Sequence, residues 1–118
     1  MPAPPKFYWK STCTSCRNAR KVLHERGVQV EEINYARKAL DAGTIAAIVQ
    51  AAGGVAKVLN TRHEVAKTQG WSEEPPDEAA FVAAAATEPN LLRRPILVRG
   101  KTVLVGYDKT NEARWAAL

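Results

Sequence analysis

The fold is decided by the stretch KFYWKSTCTSCRNARKVLHERG, residues 6–27, in which a short apolar run leads into a segment with helical spacing. The run Lys6–Trp9 predicts a strand, and the apolar periodicity that follows predicts a helix over Ser15–Glu25. Gly27 comes just after that helix, where glycine suits a helix C-terminus. The sequence therefore predicts a strand and a helix joined by a short loop.

The junction of loop and helix contains the only two cysteines of the chain, Cys13 and Cys16, at C-x-x-C spacing. A helix N-terminus favours negative charge and lowers the pKa of a thiol there. With Cys13 near the N-cap, its sulfur faces solvent and attacks, and Cys16 lies one turn further in as the buried resolving thiol. Arg17, in the first turn, is expected to raise the thiolate fraction of Cys13. The pattern predicts redox dithiol chemistry.

Two structural roles compete with this interpretation. A disulfide between neighbouring cysteines closes so short a loop that it constrains little of the unfolded chain. A structural zinc ion needs about four ligands, and His24 and His63 have no zinc-finger spacing relative to the cysteines. We therefore expect no metal site and no bound cofactor.

The length and composition are typical of one globular domain. At 118 residues, with 46% hydrophobic and 25% charged residues, the chain forms a core without disulfides, so its cysteines are available for chemistry. No apolar stretch approaches the ~20 residues of a transmembrane helix, and the first five residues lack the core of a signal peptide. We expect a cytoplasmic protein. The net charge of +5 suits an anionic substrate or an acidic partner, and no nucleic-acid-binding signature is present.

The rest of the chain predicts an α/β order of elements. Residues 28–35 are rich in β-branched side chains and predict a second strand parallel to the first, which completes a β-α-β unit. Residues 36–90 show helical spacing. Residues 91–118 predict an antiparallel hairpin around Gly100 and a closing helix. This order, β-α-β, helical insertion and β-β-α, matches a thioredoxin-like layout.

Capping residues mark the helices of both regions. Within the insertion, we expect a helix that ends at Gly53-Gly54, a helical stretch over Val55–Gln69, and a helix that runs from the N-cap Asp77 to Thr87. The closing helix is expected to begin at Asp108 or Thr110.

Four short segments occur in a specific order along the chain: CTSCR (13–17), LNTR (59–62), LLRRPI (91–96) and VGY (105–107). Together they resemble the arsenate reductase/Spx family of thioredoxin-like proteins, and the resemblance runs nearly end to end. It implies a single domain over residues 1–118. Within that domain it implies a thioredoxin-like core at 6–35 and 91–118 and a helical insertion at 36–90.

The resemblance also implies roles for individual residues. Cys13 corresponds to the nucleophile of the family, and Pro95 corresponds to a cis-proline beside it. Arg62 and Arg94 correspond to arginines that hold the oxyanion in arsenate reductases, and the fixed donor fork of a guanidinium suits a tetrahedral anion. Arg93 precedes Arg94 at the entry to a strand, so the two side chains point to opposite faces and one of them faces the site.

Two departures from the arsenate reductases concern the reductant and the anion pocket. Those enzymes have a residue other than cysteine where Cys16 stands, and they take electrons from glutathione and glutaredoxin. Here Cys16 is expected to form the disulfide internally, which leaves regeneration to thioredoxin. Those enzymes also have an arginine where this chain has Gly106, so the pocket is incomplete or is filled by Arg17 or Arg93.

The sequence thus predicts a thiol-dependent arsenate reductase of arsenic detoxification, acting on arsenate or a similar oxyanion. The same departures bring the chain close to the Spx proteins, redox-switched regulators that bind the C-terminal domain of the α-subunit of RNA polymerase. In that alternative Gly54 matches a contact residue, although glycine at a helix C-terminus is expected from backbone geometry alone. A general thiol-disulfide reductase is the third alternative.

Overall fold

The structure is a computed structural model that describes residues 4–35 and 39–118. The chain forms two compact units: Ala39–Arg93 is the second, and the described residues before and after that range make up the first. The sequence predicts the start of the helical insertion at residue 36, which lies outside the described residues. No helix in the two described ranges is long and apolar enough to cross a membrane.

The described residues form four strands and six α-helices, in the α/β order that the sequence predicts. The strands are β1 (Lys6–Trp9), β2 (Glu31–Asn34), β3 (Ile96–Arg99) and β4 (Thr102–Val105). The helices are α1 (Thr14–Glu25), α2 (Ala42–Ala52), α3 (Val55–Val58), α4 (Glu64–Thr68), α5 (Glu78–Thr87) and α6 (Glu112–Ala116). A single 3-10 turn, Pro89–Leu91, follows α5.

The strands of the first unit form one mixed sheet in the order β2-β1-β3-β4. β1 pairs in parallel with β2, and α1 is the crossover connection that a parallel pair requires. β1 also pairs antiparallel with β3, and β3 and β4 form the predicted hairpin. Gly100 turns this hairpin with a φ of 58°, which glycine adopts without steric penalty. The predicted thioredoxin-like α/β fold is confirmed.

β2 is shorter than the stretch 28–35 that the sequence predicts. Gly27 has a φ of 70°, and the N–H of Val28 donates to the carbonyl of Leu23 at 2.9 Å. This closes the C-terminus of α1 with a Schellman-type cap. Because the N–H of Val28 completes the helix, strand pairing begins only at Glu31.

The core of the first unit joins the sheet to α1 and α6. Phe7, Leu97 and Leu104 of the sheet cluster with Leu23 of α1 and Trp115 of α6, and each is at most 2% exposed. The indole ring of Trp115 lies edge-on to the Phe7 ring, with centroids 6.0 Å apart. This packing holds β1 in place, and with it the loop that carries the cysteines.

The cap predicted for α6 is wrong. The helix follows Asn111, whose side-chain amide donates to the carbonyl of Gly106 at 2.8 Å. Asp108 instead accepts the N–H of Thr110 at 2.8 Å in the turn before the helix. An Asp-x-Thr turn and a helix N-cap use the same side-chain chemistry, so the sequence did not separate them.

The second unit is helical, and its capping residues decide where helices start and stop. Asp77 accepts the N–H of Ala80 at 2.8 Å and begins α5, as predicted. α2 ends at Gly53, which has a φ of 96°. Gly54 has a φ of 135° and is the N-cap of α3, and its N–H donates to the carbonyl of Val49 at 3.0 Å, so both glycines close the C-terminus of α2 as predicted.

Residues 55–69 do not form one helical stretch. They divide into α3 and α4, because the chain between them pairs with the segment that precedes β3. Leu59 and Leu92 form an antiparallel bridge, and the N–H of Arg93 donates to the carbonyl of Val58 at 2.8 Å. These contacts span about thirty residues of sequence, and helical periodicity carries no sign of them.

Candidate active site

Cys13 is the N-cap residue of α1. The chain turns sharply after β1, with the N–H of Cys13 donating to the carbonyl of Lys10 at 3.0 Å. The sulfur of Cys13 accepts a hydrogen bond from the backbone N–H of Cys16 at 3.4 Å, as a serine or aspartate oxygen does at other N-caps. The side chain is half-buried. This is the position that the sequence predicts for the attacking sulfur.

The surroundings of Cys13 lower the pKa of its thiol. Partial burial acts in the opposite direction and raises the pKa. Hydrogen bonds from the side chain and backbone of Cys16 outweigh it, together with the hydrogen bond and positive charge of Arg94. Since the thiolate is the nucleophilic form of cysteine, Cys13 is more reactive near neutral pH than an ordinary cysteine.

The pKa of the Cys16 thiol is shifted in the opposite direction to that of Cys13. Cys16 is fully buried, and burial together with the neighbouring Cys13 sulfur raises the pKa of its thiol to about 12. A backbone hydrogen bond from Lys10 and the charge of Arg94 oppose this rise without cancelling it. Both cysteines are free, and the described residues offer no set of three His, Cys, Asp or Glu side chains that could hold a metal ion. The pair therefore combines a thiol of lowered pKa with a thiol of raised pKa, the kind of division that acid–base partners show in active sites.

Arg94 and Pro95 approach the cysteines from the start of β3. The peptide bond between them is cis, as the resemblance implies. Pro95 is buried, and its carbonyl accepts the N–H of Gly106 at 2.7 Å, which ties the start of β3 to the end of β4. Arg94 is half-buried and acts electrostatically on both thiols. The first unit thus brings together three of the predicted site residues, Cys13, Cys16 and Arg94, beside a cis-proline.

The electrostatic role of Arg17 stays a prediction, and the structure shows a second use of its side chain. Its guanidinium donates to the carbonyl of Ser11 at 3.0 Å and to the hydroxyl of Thr14 at 3.3 Å, on the exposed side of the loop. Arg94 is a cationic group that lowers the pKa of Cys13. Arg17 braces the loop around the N-terminus of α1, because its two contacts link residues on either side of Cys13.

The other predicted arginines belong to the second unit. Arg62 is exposed, and its backbone N–H donates to the side chain of Asn60 at 3.1 Å. Arg93 is exposed and held by its backbone N–H. The neighbouring His63 caps α4 by accepting the N–H of Val65 at 3.1 Å. Oxyanion binding by Arg62, and a supporting role for Arg93, stay predictions.

Tyr35 is a member of the cluster that the sequence did not predict. It follows β2, is 3% exposed, and interacts electrostatically with Arg94, Cys16 and Cys13. One signal was available: a tyrosine directly after the second of two parallel strands lies at the edge where the carboxyl ends of the strands meet. Its β-rich neighbours in sequence indicate only the end of a strand.

Removing the charge of Arg94 is expected to make Cys13 less reactive. In Arg94→Gln the pKa of Cys13 rises, the thiolate fraction at pH 7 falls, and alkylation by iodoacetamide slows by roughly threefold to tenfold. The rate measured against pH gives the pKa directly. Arg93→Gln is the matched control, because it removes the same charge from the adjacent, exposed position and is expected to leave the profile unchanged. Equal profiles for the parent and Arg94→Gln would contradict the role of Arg94.

Comparison with known proteins identifies the family to which this chain belongs. The model of the ArsC family matches residues 8–114, which include both cysteines, Arg94 and Pro95. The match therefore extends over both units.

Three individual proteins illustrate the similarity, two by sequence and one by structure. The global transcriptional regulator Spx of Enterococcus faecalis is 28% identical over 110 residues, which cover 92% of this chain and 83% of the regulator. The uncharacterized protein YusI of Bacillus subtilis is 28% identical over 114 residues, covering 93% and 97% of the two chains. The solved arsenate reductase from Vibrio cholerae has a TM-score of 0.74 at 21% identity, covering 87% of this chain and 89% of that one. The similarity to the Vibrio cholerae structure shows a shared fold and no more.

Proposed function

The chain belongs to the ArsC family, and from that premise we propose that it reduces an oxyanion of the arsenate type with the dithiol of Cys13 and Cys16. One observation carries the proposal: the thiol with the lowered pKa, Cys13, is the N-cap of α1 and interacts with both Arg94 and a second, protonated thiol. A nucleophile, a cation for an anionic substrate and a resolving group are thereby present in one cluster.

The first proposed step is attack on arsenic by the thiolate of Cys13. A sulfur–arsenic bond forms and one oxygen of the anion leaves as water, with protons supplied by solvent. The N–H groups at the start of α1 and the charge of Arg94 favour an anion beside the sulfur. The net charge of the chain, +5, is compatible with an anionic substrate.

The second step uses Cys16. Its thiol loses a proton to solvent, and its sulfur attacks the sulfur of Cys13. The electron pair of the sulfur–arsenic bond leaves with arsenic, which is released as arsenite, two-electron reduced, while the two cysteines become a disulfide. Formation of the adduct removes the thiolate charge of Cys13, one of the causes that raise the pKa of Cys16.

The disulfide then needs an external reductant. Because both electrons come from cysteines of this chain, we propose that thioredoxin regenerates them, with glutathione and glutaredoxin as the alternative couple. Such a cycle requires a reducing compartment, and we therefore place it in the cytoplasm.

A coupled assay tests this function. Arsenate-dependent oxidation of NADPH is measured with thioredoxin and thioredoxin reductase, and separately with glutathione, glutaredoxin and glutathione reductase. We expect turnover with the thioredoxin couple. No turnover with either couple would refute the enzymatic proposal, and reduction of insulin without arsenate turnover would assign the chain to general disulfide reduction.

Redox-dependent regulation is the second candidate, because Spx regulators are among the relatives at 28% identity. In this proposal the dithiol is a switch, and the partner is the C-terminal domain of the α-subunit of RNA polymerase. The surface involved would include Gly54, where an added Cβ would meet no atom within 4 Å. Gly54 therefore has open space beside it, as a docking position needs.

A binding measurement separates this candidate from the enzyme. We expect the polymerase domain to bind oxidised and reduced protein with different affinities, and Gly54→Arg to abolish binding. Because Gly54 has a φ of 135°, an arginine there also strains the backbone. Ala56→Arg, at an exposed position of α3, adds the same side chain without that strain. No binding by the parent in either redox state would remove this candidate.

A further inference from the structure

Tyr35 directly follows β2, and the loop that carries Cys13 directly follows β1, the neighbouring parallel strand. The N–H of Tyr35 donates to the carbonyl of Trp9 at 3.0 Å, so Tyr35 lies beside the last residue of β1. The ammonium nitrogen of Lys10, the next residue along, is 6.0 Å from the centroid of the Tyr35 ring. Tyr35 therefore packs against the start of the loop that leads to Cys13.

The hydroxyl of Tyr35 is buried and donates no hydrogen bond to a described residue, while the guanidinium of Arg94 acts on its oxygen as a hydrogen-bond donor. The residue is 3% exposed. Burial, ahead of the nearby charges, raises the pKa of Tyr35, so the hydroxyl keeps its proton and remains a donor. A buried O–H donor without an acceptor destabilises a fold. The fold nevertheless keeps an unpaired O–H donor close to Arg94, Cys16 and Cys13.

The resolving step needs such a donor. Cys16 is fully buried and has to become a thiolate before it can attack. A buried anion is unfavourable unless hydrogen bonds and charges compensate it. A backbone hydrogen bond from Lys10 and the charge of Arg94 supply part of that compensation. The O–H of Tyr35 is a further donor in the same cluster, and it is not occupied in the resting protein.

Building on the dithiol chemistry proposed above, we propose that the hydroxyl of Tyr35 donates a hydrogen bond to the sulfur of Cys16 as that sulfur becomes a thiolate. The proton of Cys16 goes to solvent and Tyr35 keeps its own. The electron pair on Cys16 forms the bond to Cys13, and the bond between Cys13 and its adduct breaks with its electrons leaving on the adduct. Tyr35 thus acts on the second step and not on the first.

An aromatic disulfide reagent, dithiobisnitrobenzoate, isolates the two steps without arsenate. The thiolate of Cys13 displaces one coloured nitrothiobenzoate and retains the other as a mixed disulfide. Cys16 then attacks Cys13, closes the internal disulfide and releases the second coloured thiolate. Stopped-flow absorbance therefore gives one rate for Cys13 and another for Cys16, and Cys16→Ser identifies the second phase by removing it.

Tyr35→Phe is expected to slow the second phase by roughly tenfold or more, because a hydrogen bond to a charged group is lost. The first phase is expected to stay within about twofold of the parent. The pH profile of the second phase moves to higher pH, since the thiolate of Cys16 is less stabilised. Cys13, Arg94 and Lys10, the other groups that act on Cys16, are all present in the variant.

Tyr107→Phe is the matched control, because it deletes a hydroxyl from a half-buried tyrosine that packs on Trp115 in the same unit. We expect it to leave both phases unchanged. Thermal unfolding supplies a second readout: Tyr35→Phe is expected to be at least as stable as the parent, because it removes a buried O–H donor without an acceptor. A hydroxyl that only supports the fold gives the opposite result.

The outcomes separate this inference from the proposed function. A second phase with the parental rate and pH profile in Tyr35→Phe overturns the role of Tyr35, whatever the arsenate assay shows. Slowing of both phases with loss of thermal stability also overturns it. A slowed second phase without arsenate turnover in the parent keeps the role of Tyr35 and refutes the oxyanion substrate. A parent with no second phase refutes both the internal disulfide and this role.

Discussion

Cys13→Ser is expected to lower arsenate-dependent turnover by on the order of 10³-fold or more. The Cys16 hydrogen bonds and the charge of Arg94 lower the pKa of the Cys13 thiol, so its thiolate fraction near neutral pH is higher than that of an ordinary cysteine. A serine hydroxyl at the same N-cap still accepts the N–H of Cys16, but it stays protonated and cannot form a disulfide. The loss therefore falls on chemistry and not on folding. The coupled NADPH assay measures it, and thermal unfolding confirms an intact fold.

Two further variants make this result specific. Cys16→Ser leaves the first step intact, so we expect a single stoichiometric reaction of Cys13 with substrate and a strong loss of multiple turnover. Thr12→Ser changes an exposed residue of the same loop and is expected to turn over at the parental rate. If Cys13→Ser kept more than a small fraction of parental activity, the nucleophile would have to lie elsewhere. If Cys16→Ser did so, the resolving thiol would come from an external reductant.

Trp115→Ala is expected to cost about 3–5 kcal/mol of folding stability, the largest loss that we predict for one side chain. Trp115 is 0% exposed, and its ring lies edge-on to Phe7 and to Tyr107, with centroids 6.0 Å away in each case. Its indole N–H also donates to the carbonyl of Gly106 at 3.0 Å. Because a domain of this size has only about 5–15 kcal/mol of stability, the variant is marginally folded. Chemical denaturation measures the loss, and the thermal midpoint is expected to fall by roughly 10–20 °C.

Two control substitutions separate packing from hydrogen bonding. Trp115→Phe keeps most of the apolar area and loses the indole N–H, yet the carbonyl of Gly106 still accepts the side-chain amide of Asn111 at 2.8 Å. We therefore expect a smaller loss, about 1–2 kcal/mol. Trp71→Ala removes a tryptophan of the second unit that is only half-buried, and its effect is expected to be smaller than that of Trp115→Ala. Equal losses for the two alanine variants would contradict the central place of Trp115 in the core.

The elements that the sequence predicted well are those with local signals. β1 matches its predicted bounds, and α1 begins one residue before the predicted start, because the N-cap at Cys13 and the stop at Gly27 depend on neighbouring residues. Asp77 as the cap of α5 is a signal of the same kind. The break between α3 and α4 depends instead on the pairing of Leu59 with Leu92, a contact between residues that are distant in sequence. Periodicity does not report such contacts.

The same division applies to the candidate site. The sequence alone was enough to predict a nucleophile and its partner thiol, because a C-x-x-C at a helix N-terminus is a feature of four consecutive residues. The family resemblance added the arginine and proline that precede β3. The effect of Arg94 on the pKa of Cys13, and the place of the buried Tyr35 hydroxyl in the same cluster, follow only from the tertiary structure. The physical reason is that pKa shifts depend on distance and burial in space, and the sheet brings the ends of β1 and β2 and the start of β3 to the same place.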